Sequence, residues 1–161
     1  MISLESLSSS ALKKAEKQGA HQAEAFIINS HSRSVYVENG KPRVVDDKSE
    51  TGLGLKVCLG NHVAFSSGTV NKRSVEEIVN EAMSIARTTD EDPYFKSLPS
   101  GGKLSGQLKG AYSKETSQID LEDIVAKAMD AVKIAEKTRN VKVPLGLIRL
   151  ADYSLYVVNS L

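Results

Sequence analysis

The sequence predicts an α+β fold in which about three helices pack on a mainly antiparallel, or mixed, sheet. Residues 22–70 and 141–161 are rich in β-forming residues, and several of their segments alternate between apolar and polar side chains. Three other segments repeat their apolar residues at helical spacing. Because the strands group in a meander, we expect antiparallel pairing with the helices on one face. The long helices leave room for one or two parallel pairs through crossovers.

The composition is that of one globular domain. The chain has 161 residues, of which 40% are apolar and 25% charged, and this excludes disordered, collagen-like and coiled-coil proteins. A net charge of +1 and an aromatic content of 5% give no sign of a nucleic acid or an acidic membrane as a partner. The sequence also lacks the patterns of a membrane span and of a secretion signal. We therefore expect a single domain over residues 1–161 in a soluble, cytoplasmic protein.

The first helix is predicted between Ser3 and Gly19. Ser3 is a typical N-cap residue, and Gly19 stands where a left-handed residue would end the helix. Between them the apolar residues recur at helical spacing, at Leu4, Leu7, Ala11, Leu12 and Ala15.

The meander begins with a short strand predicted over residues 23–28. Asn39-Gly40 then favours the type I′ turn of a two-residue hairpin, because both residues can adopt a positive φ. The strands of this hairpin are predicted over 35–38 and 41–45. Pro42 cannot donate to a ladder, so we expect it to face outward on an edge or to delay the start of its strand.

A second hairpin is predicted directly after the first. Residues 53–59 alternate between large apolar residues and small or polar ones, which is typical of a strand with one buried face. Gly60-Asn61 can turn the chain into a strand over 62–65. The segment 141–161 is also rich in β-forming residues, and 151–153 is the predicted turn between two strands there.

Two further helices have clear N-terminal signals. Ser74 and Glu77 can form a capping box at the start of one. Asp120 is the predicted N-cap of the other, with Ile119 as one half of a hydrophobic staple. The predicted apolar stripes consist of Val75, Ile78, Val79, Ala82, Ile85 and Ala86 in the former, and of Leu121, Ile124, Val125, Ala128, Val132 and Ala135 in the latter. The glycine-rich segment 97–110 between them is predicted to be irregular.

The sequence offers no complete set of catalytic or metal-binding residues, so none is assigned as catalytic, cofactor-binding or metal-ligating. Zinc needs several converging ligands, whereas His21, His31 and His62 share no helical turn. The single cysteine, Cys58, excludes an internal disulfide. Lys56 is its only basic neighbour in sequence, so a structural role is favoured over a reactive thiolate. We expect no cofactor in this chain.

Four other groups of residues resemble functional motifs only in part. Gly101-Gly102-Lys103 lacks the spaced glycine and the following Ser or Thr of a phosphate-binding loop, so an ordinary loop is favoured. Asp46-Asp47 and Asp90-Glu91-Asp92 lack the alternating ligands of a calcium loop, and we interpret them as solvated loop charge. Ser66-Ser67-Gly68 lacks the glycine spacing of a nucleophile elbow.

Several segments resemble the amino-terminal domain of the TldD/PmbA family, whose members were once described as modulators of DNA gyrase. The segment 20–25 is similar to the family's opening after the first helix. The segment 52–61 is similar to its Gly-x-Gly-hydrophobic-Arg-Val strand, with Lys56 in place of the arginine. The helix 74–86 and the terminal segment 156–161 are similar to later elements, so the resemblance covers nearly the whole chain.

The resemblance implies a role in a metallopeptidase system. TldD-type members are zinc peptidases whose ligands come from a His-Glu-x-x-x-His helix and a later cysteine, in a second domain that these 161 residues do not contain. PmbA-type members lack the metal motif, and the two types form a heterodimer around a proteolytic chamber. The type stays open here, with a slight preference for PmbA from Asn159-Ser160-Leu161. Zinc is thus expected only in a full-length catalytic member, and the expected partner is another subunit or the carboxy-terminal domain, with a peptide as substrate.

Three hypotheses about function follow. The first is a non-catalytic amino-terminal domain, or truncated member, of a TldD/PmbA-like metallopeptidase system, which contributes to the substrate path or to subunit assembly and is inactive alone. The alternative is a stand-alone interaction module that adds a peptide strand to a free sheet edge, and the hairpin with Pro42 motivates it. A weaker hypothesis is a small-molecule enzyme that uses Cys58.

Overall fold

A computed structural model describes residues 3–70, 73–100 and 109–161 and confirms the α+β prediction. The elements in chain order are α1 (Leu4–Lys17), β1 (Gln22–Glu38), β2 (Lys41–Leu59), β3 (His62–Thr69), α2 (Val75–Ala86), α3 (Lys114–Ser117), α4 (Leu121–Glu136) and β4 (Leu145–Asn159). The four strands form one antiparallel sheet in the order β3-β2-β1-β4, without the parallel pairs that the sequence left open. None of the helices in these residues is long and apolar enough to span a membrane.

The described residues form two compact units. The first unit contains α1, β3 and α2, and the second contains α3 and α4. β1, β2 and β4 contribute residues to both. The first unit comprises residues 3–29, 50–70, 73–100 and 154–161, and the second comprises residues 30–49 and 109–153.

α1 begins and ends as predicted. The Ser3 side chain accepts a hydrogen bond from the backbone N–H of Ser6, and Gly19 follows the helix with a φ of +99°. The helix buries its apolar stripe in the core of the first unit. That core consists mainly of Leu7, Ala11, Leu12 and Ala15 of α1, of Ala23, Ala25, Ile27, Leu53, Leu55, Val57 and Ala64 of the strands, and of Ile78, Val79, Ala82, Met83 and Ala86 of α2.

β1 and β2 are longer than the sequence predicts. The prediction divided each of them into two short strands, but β1 runs for 17 residues and β2 for 19 without a break. The joining segments 29–34 and 46–52 are mostly polar, so they carry no alternating signal. They are strands because the hairpin turn places the two chains side by side. The contact of 2.6 Å between His31 Nε2 and Asp47 Oδ1 lies in this part of the hairpin.

The first hairpin turn and Pro42 have the predicted properties. Asn39 and Gly40 have φ values of +50° and +72°, the positive values that a type I′ turn requires. Pro42 is the second residue of β2 and is exposed. β3 pairs with β2 only from Gly52 to Leu59, so Pro42 lies on a part of β2 that β3 does not reach.

α2 has the predicted capping box, but its buried stripe differs at one position. The Ser74 side chain accepts a hydrogen bond from the Glu77 N–H, and the Glu77 carboxylate accepts one from the Ser74 N–H at 2.7 Å. The prediction that Ile85 is buried is wrong, since it is 40% exposed, whereas Met83 is fully buried. The two residues lie on opposite borders of the stripe, and the packing of α1 and β3 on α2 decides which border is covered.

α4 covers one face of the sheet in the second unit. Asp120 is its N-cap, as predicted, and accepts a hydrogen bond from the Asp123 N–H at 2.8 Å. α3, a single turn that the sequence did not predict, precedes it. The core of this unit consists of Val35 and Val37 of β1 and of Ile124, Ala128 and Val132 of α4.

β4 contradicts the predicted turn at 151–153. The strand runs for 15 residues, and the alternation of exposed and half-buried residues continues through these positions. Asp152 is half-buried, and its Oδ2 lies 3.8 Å from Nη2 of the buried Arg33. Aspartate is common in turns, but residues 151–153 belong to β4, whose neighbour in the sheet is β1, and Asp152 lies there beside the buried Arg33.

Candidate functional site

The sheet of the second unit carries an apolar depression on the face opposite α4. Val35 and Val37 pack on α4, so the alternation of a strand directs Tyr36 and Glu38 to the other face. The depression, named here the Tyr36 depression, has a volume of about 470 Å³. It is lined by Tyr36, Val37, Glu38, Arg43, Val44, Leu145, Gly146 and Leu147.

The large apolar side chains of the Tyr36 depression are exposed. Tyr36 is 46% exposed, Leu147 54% and Leu145 77%. An isolated exposed leucine is ordinary, but neighbouring exposed apolar residues around a concavity are typical of a binding surface. The Tyr36 depression is therefore the best candidate for a functional site in the second unit.

One ion pair lies at the rim of the Tyr36 depression. Arg43 Nε donates a hydrogen bond to Glu38 Oε2 at 2.9 Å, and both side chains are exposed. Exposed ion pairs contribute only about 0–1 kcal/mol, so this pair can exchange its contact for one with a ligand at little cost. The arrangement can orient polar groups but supplies no nucleophile and no acid–base pair.

The edge of β2 adjoins the Tyr36 depression. Arg43 and Val44 line the depression and belong to residues 41–47, which are all exposed. Since β3 pairs only with Gly52–Leu59, the sheet order of the described strands places no further strand beyond 41–47. Such an edge presents backbone donors and acceptors to another extended chain. We call residues 41–47 the free edge.

A buried cation lies elsewhere in the second unit. Arg33 donates hydrogen bonds from Nη1 to the backbone oxygen of Ile119 and from Nη2 to that of Ser117, the latter at 2.6 Å. Its side chain is 8% exposed, and its Nε has no hydrogen-bond partner among the described residues. These bonds fasten the chain before α4 to β1, which is a structural role that the sequence analysis did not identify.

The three histidines each contact a different part of the structure. His21 Nδ1 accepts a hydrogen bond from the Gly60 N–H at 2.8 Å. His62 Nδ1 lies 2.9 Å from the backbone oxygen of Thr89, and His31 lies in the hairpin as described above. Among the described residues, no three His, Cys, Asp or Glu side chains come together as a group of metal ligands.

Cys58 is buried in the first unit, with 1% of its surface exposed. Burial raises the pKa of its thiol, the nearby Lys56 lowers it and Glu24 raises it further, with burial as the largest effect. A raised pKa disfavours the thiolate, which is the reactive form. This environment argues against the hypothesis of an enzyme that uses Cys58.

The partial motifs of the sequence do not form sites in the described residues. Asp46-Asp47 is exposed but lies in β2, so the interpretation of this pair as loop charge is wrong about its structure. Asp92 accepts a hydrogen bond from the Tyr94 N–H at 2.9 Å, and Glu91 lies 3.6 Å from His62 Nε2. Gly101-Gly102-Lys103 lies outside the described residues.

Ser66 belongs to a hydrogen-bonded group at α2. Its hydroxyl donates to Oε2 of Glu81, which also accepts from Arg73 Nη2 at 2.9 Å. The hydrogen bond from Ser66 and then that from Arg73 lower the pKa of the Glu81 carboxyl. A carboxylate with a lowered pKa is a weak base, so this group does not activate Ser66 as a nucleophile.

The sequence analysis missed the Tyr36 depression, although a signal for it is present. Val35-Tyr36-Val37 is apolar at consecutive positions, and so is much of 145–150. Strands of this kind have apolar residues on both faces, and this is typical of strands that are covered on both faces. Period-two alternation identifies one buried face of a strand but does not indicate what the opposite face contacts.

Residues 23–86 match a family model described as PmbA/TldA metallopeptidase domain 1. The matched segment runs from the second residue of β1 to the end of α2. It confirms the resemblance to the amino-terminal domain of the TldD/PmbA family. A comparison with curated proteins finds no match.

Three solved structures share the fold of nearly the whole chain. TldE from Thermococcus kodakarensis is 21% identical with a TM-score of 0.78, and the alignment covers 96% of this chain and 35% of that one. A protein of Bacteroides thetaiotaomicron named as a candidate modulator of DNA gyrase is 19% identical with a TM-score of 0.78, covering 99% and 38%. A protein of Thermotoga maritima with the same description is 19% identical with a TM-score of 0.73, covering 98% and 35%. The chain thus spans little more than a third of the length of each.

Proposed function

Because residues 23–86 match the first domain of PmbA/TldA metallopeptidases, we propose that this chain is a non-catalytic amino-terminal domain, or truncated member, of a TldD/PmbA-like metallopeptidase system. It acts in proteolysis or peptide maturation in the cytoplasm. The match to the family model is the observation that carries the proposal. The likeness of the fold over 96–99% of the chain supports it.

The chemistry of such a system lies outside this chain in the proposal. Zinc hydrolysis of a peptide needs metal ligands, an open coordination position and a general base. The 161 residues contain no His-Glu-x-x-x-His segment, and Cys58 is their single cysteine. Zinc is therefore bound by a catalytic family member or domain, and this chain supplies a scaffold.

The contribution of the scaffold is to build the substrate path or the contacts between subunits. The exposed apolar side chains of the second unit support this role, since uncovered apolar surface is typical of contact regions. The partner is another subunit or a carboxy-terminal domain of the family, and a peptide is the substrate of the assembly.

An assay of peptide cleavage tests the proposal. The purified chain is incubated with unfolded casein and short peptides, with and without a chelator, alone and after co-expression with a TldD-type protein. We expect no chelator-sensitive cleavage by the chain alone and cleavage by the co-expressed pair. The control is the pair in which the partner's two motif histidines are replaced by alanine. Chelator-sensitive cleavage by the chain alone would contradict the proposal.

A further inference from the structure

We propose that two copies of this chain pair edge to edge through residues 145–153 of β4, antiparallel and about a two-fold axis. We call these residues the β4 edge. Such pairing goes beyond the proposed function, which names no surface for a subunit contact and no pairing of the chain with itself. It depends on the backbone pattern of β4, so the dimer and the peptide-cleavage assay can fail independently of each other.

The backbone of β4 has one side that bonds to β1 and one side that does not. β4 is the last strand in the order β3-β2-β1-β4, so none of the described strands lies on its outer side. At the two ends of the ladder, the Asn39 N–H donates to the Pro144 oxygen and the Ser160 N–H to the Ala23 oxygen, both at 2.9 Å. Even-numbered residues of β4 therefore bond to β1. The alternation of an antiparallel ladder turns the N–H and C=O of the odd-numbered residues outward.

The outward backbone groups belong to residues whose side chains are exposed as well. In the β4 edge these residues are Leu145, Leu147, Arg149, Ala151 and Tyr153. Leu145 is 77% exposed, Leu147 54% and Tyr153 64%. The β4 edge thus presents a row of backbone donors and acceptors beside apolar side chains, and this combination is a template for another strand.

The β4 edge lacks the features that keep sheet edges from pairing. Proteins protect such edges with short strands, proline, bulges or several charges. β4 runs for 15 residues without a break, the β4 edge contains no proline, and Arg149 is the single charge among its outward residues. The free edge, in contrast, has Pro42 together with Lys41, Arg43 and Asp46. The β4 edge is therefore the better site for strand pairing.

The sequence of the β4 edge favours its own copy as the partner. With Leu150 on the two-fold axis, Leu147 of each copy lies opposite Tyr153 of the other. Arg149 then lies opposite Ala151 of the second copy. Pairs of an apolar and an aromatic residue stabilise antiparallel strands, whereas like charges that face each other destabilise them. We therefore expect Leu150, and not Arg149, on the axis.

The area of the contact predicts a weak dimer. A standard protein–protein interface buries about 800 Å² on each partner and includes roughly 20–30 residues of each. The β4 edge is a segment of one strand and provides less than that. We therefore expect a reversible dimer with a Kd of about 1–100 µM, in place of a permanent one.

Sedimentation velocity of the full chain tests the pairing, over concentrations from about 1 to 500 µM. We expect monomers at the low end and dimers at the high end. Ala151→Pro removes an outward N–H twice in each dimer and should weaken dimerisation by about tenfold or more. Proline is tolerated at an edge position whose N–H faces solvent, so this variant should fold. Ala151→Ser keeps the N–H and should change the Kd by less than about threefold.

Two results of this experiment would overturn the proposal. One is a chain that stays monomeric over the whole range of concentrations. The other is a dimer that Ala151→Pro and Ala151→Ser weaken equally, because backbone pairing at the β4 edge would then not hold it together.

A cysteine on the axis tests the register. In Cys58→Ala chains, Leu150→Cys should form a disulfide with its copy on mild oxidation, because residues that face each other there have Cα atoms about 4.5 Å apart. Ile148→Cys is the matched control, since its copy lies four residues further along, at roughly 13 Å. Equal yields of cross-linked dimer from the two variants would contradict this register.

A charge on the exposed face of β4 tests the pairing without proline. Leu147→Lys faces Tyr153 of the second copy and should weaken dimerisation by about tenfold or more. Ile85→Lys is the control, at an exposed residue of α2, which packs on α1 and β3. A dimer that Leu147→Lys leaves unchanged would contradict the proposal.

Amide exchange distinguishes a second copy from another occupant. We expect fast exchange at Leu147, Arg149 and Ala151 in dilute samples and slower exchange as the concentration rises. Slow exchange that does not depend on concentration would show that another segment of the same chain covers the β4 edge, which would overturn pairing between copies.

Discussion

Arg33 is the residue whose contacts the sequence could not reveal. It lies in a polar segment between two predicted strands, and its partners are backbone oxygens more than 80 positions away in the chain. Only the fold brings them together. Helix N-caps, in contrast, can be predicted from the sequence. The side chains of Ser3, Ser74 and Asp120 each accept a hydrogen bond from a backbone N–H only three residues away.

Replacement of Arg33 should destabilise the chain strongly. Arg33→Met leaves the backbone oxygens of Ser117 and Ile119 without their donors, and Asp152 without its nearby cation, so we expect a loss of about 3 kcal/mol. Urea unfolding followed by circular dichroism measures it. Arg149→Met, at an exposed position of β4, is the control and should cost less than about 0.5 kcal/mol. Equal losses in the two variants would refute the structural role of Arg33.

Glu81 should make stability depend on pH in the acid range. Hydrogen bonds from Ser66 and Arg73 hold the pKa of its carboxyl below the ordinary value of 4.5. A folded pKa below the unfolded one means that this stabilisation is complete above pH 4.5 and is lost as the pH falls through the folded pKa.

Ser66→Ala is the variant that tests this dependence. It removes the largest cause of the lowered pKa, so it should reduce the urea midpoint at pH 7. The reduction should become smaller as the pH falls through the folded pKa of Glu81, because protonation removes the charge that the Ser66 hydroxyl stabilises. Ser67→Ala, at the neighbouring exposed residue of β3, is the control. If the fall in the urea midpoint of Ser66→Ala is the same at every pH, the charge of Glu81 does not contribute to the stabilisation by the Ser66 hydroxyl.

At the scale of elements, periodicity predicted the helices better than the strands. An amphipathic helix carries its own pattern, and the capping residues mark its start. A strand inside a long hairpin needs no apolar alternation, because its partner supplies the hydrogen bonds, and so 46–52 forms part of β2 despite its polar residues. The same reason explains why 151–153 continues β4.

The capping box of α2 should stabilise the folded chain about as much as N-caps do in other proteins. Ser74→Ala removes the side-chain acceptor of the Glu77 N–H, and we expect a loss of about 1 kcal/mol in the free energy of unfolding. Ser84→Ala is the matched control, since Ser84 is exposed on the same helix and alanine has the higher helix propensity. A loss in Ser84→Ala as large as that in Ser74→Ala would contradict the role of the cap.

At the scale of the whole molecule, the sequence was sufficient for the fold class and for the family resemblance. Both depend on the order of elements and on short motifs such as those in 52–61. The Tyr36 depression was not predicted, because one of its walls comes from β4, which lies far along the chain from the β1–β2 hairpin.

Native mass spectrometry of the chain alone and after co-expression with a TldD-type protein measures mass and metal content together. We predict that the chain alone is zinc-free, with the 17.4 kDa mass of the sequence or a simple multiple of it, and that zinc appears only in a complex with the partner. Stoichiometric zinc on the isolated chain, removed by a chelator together with peptide cleavage, would contradict the account of this domain as a scaffold.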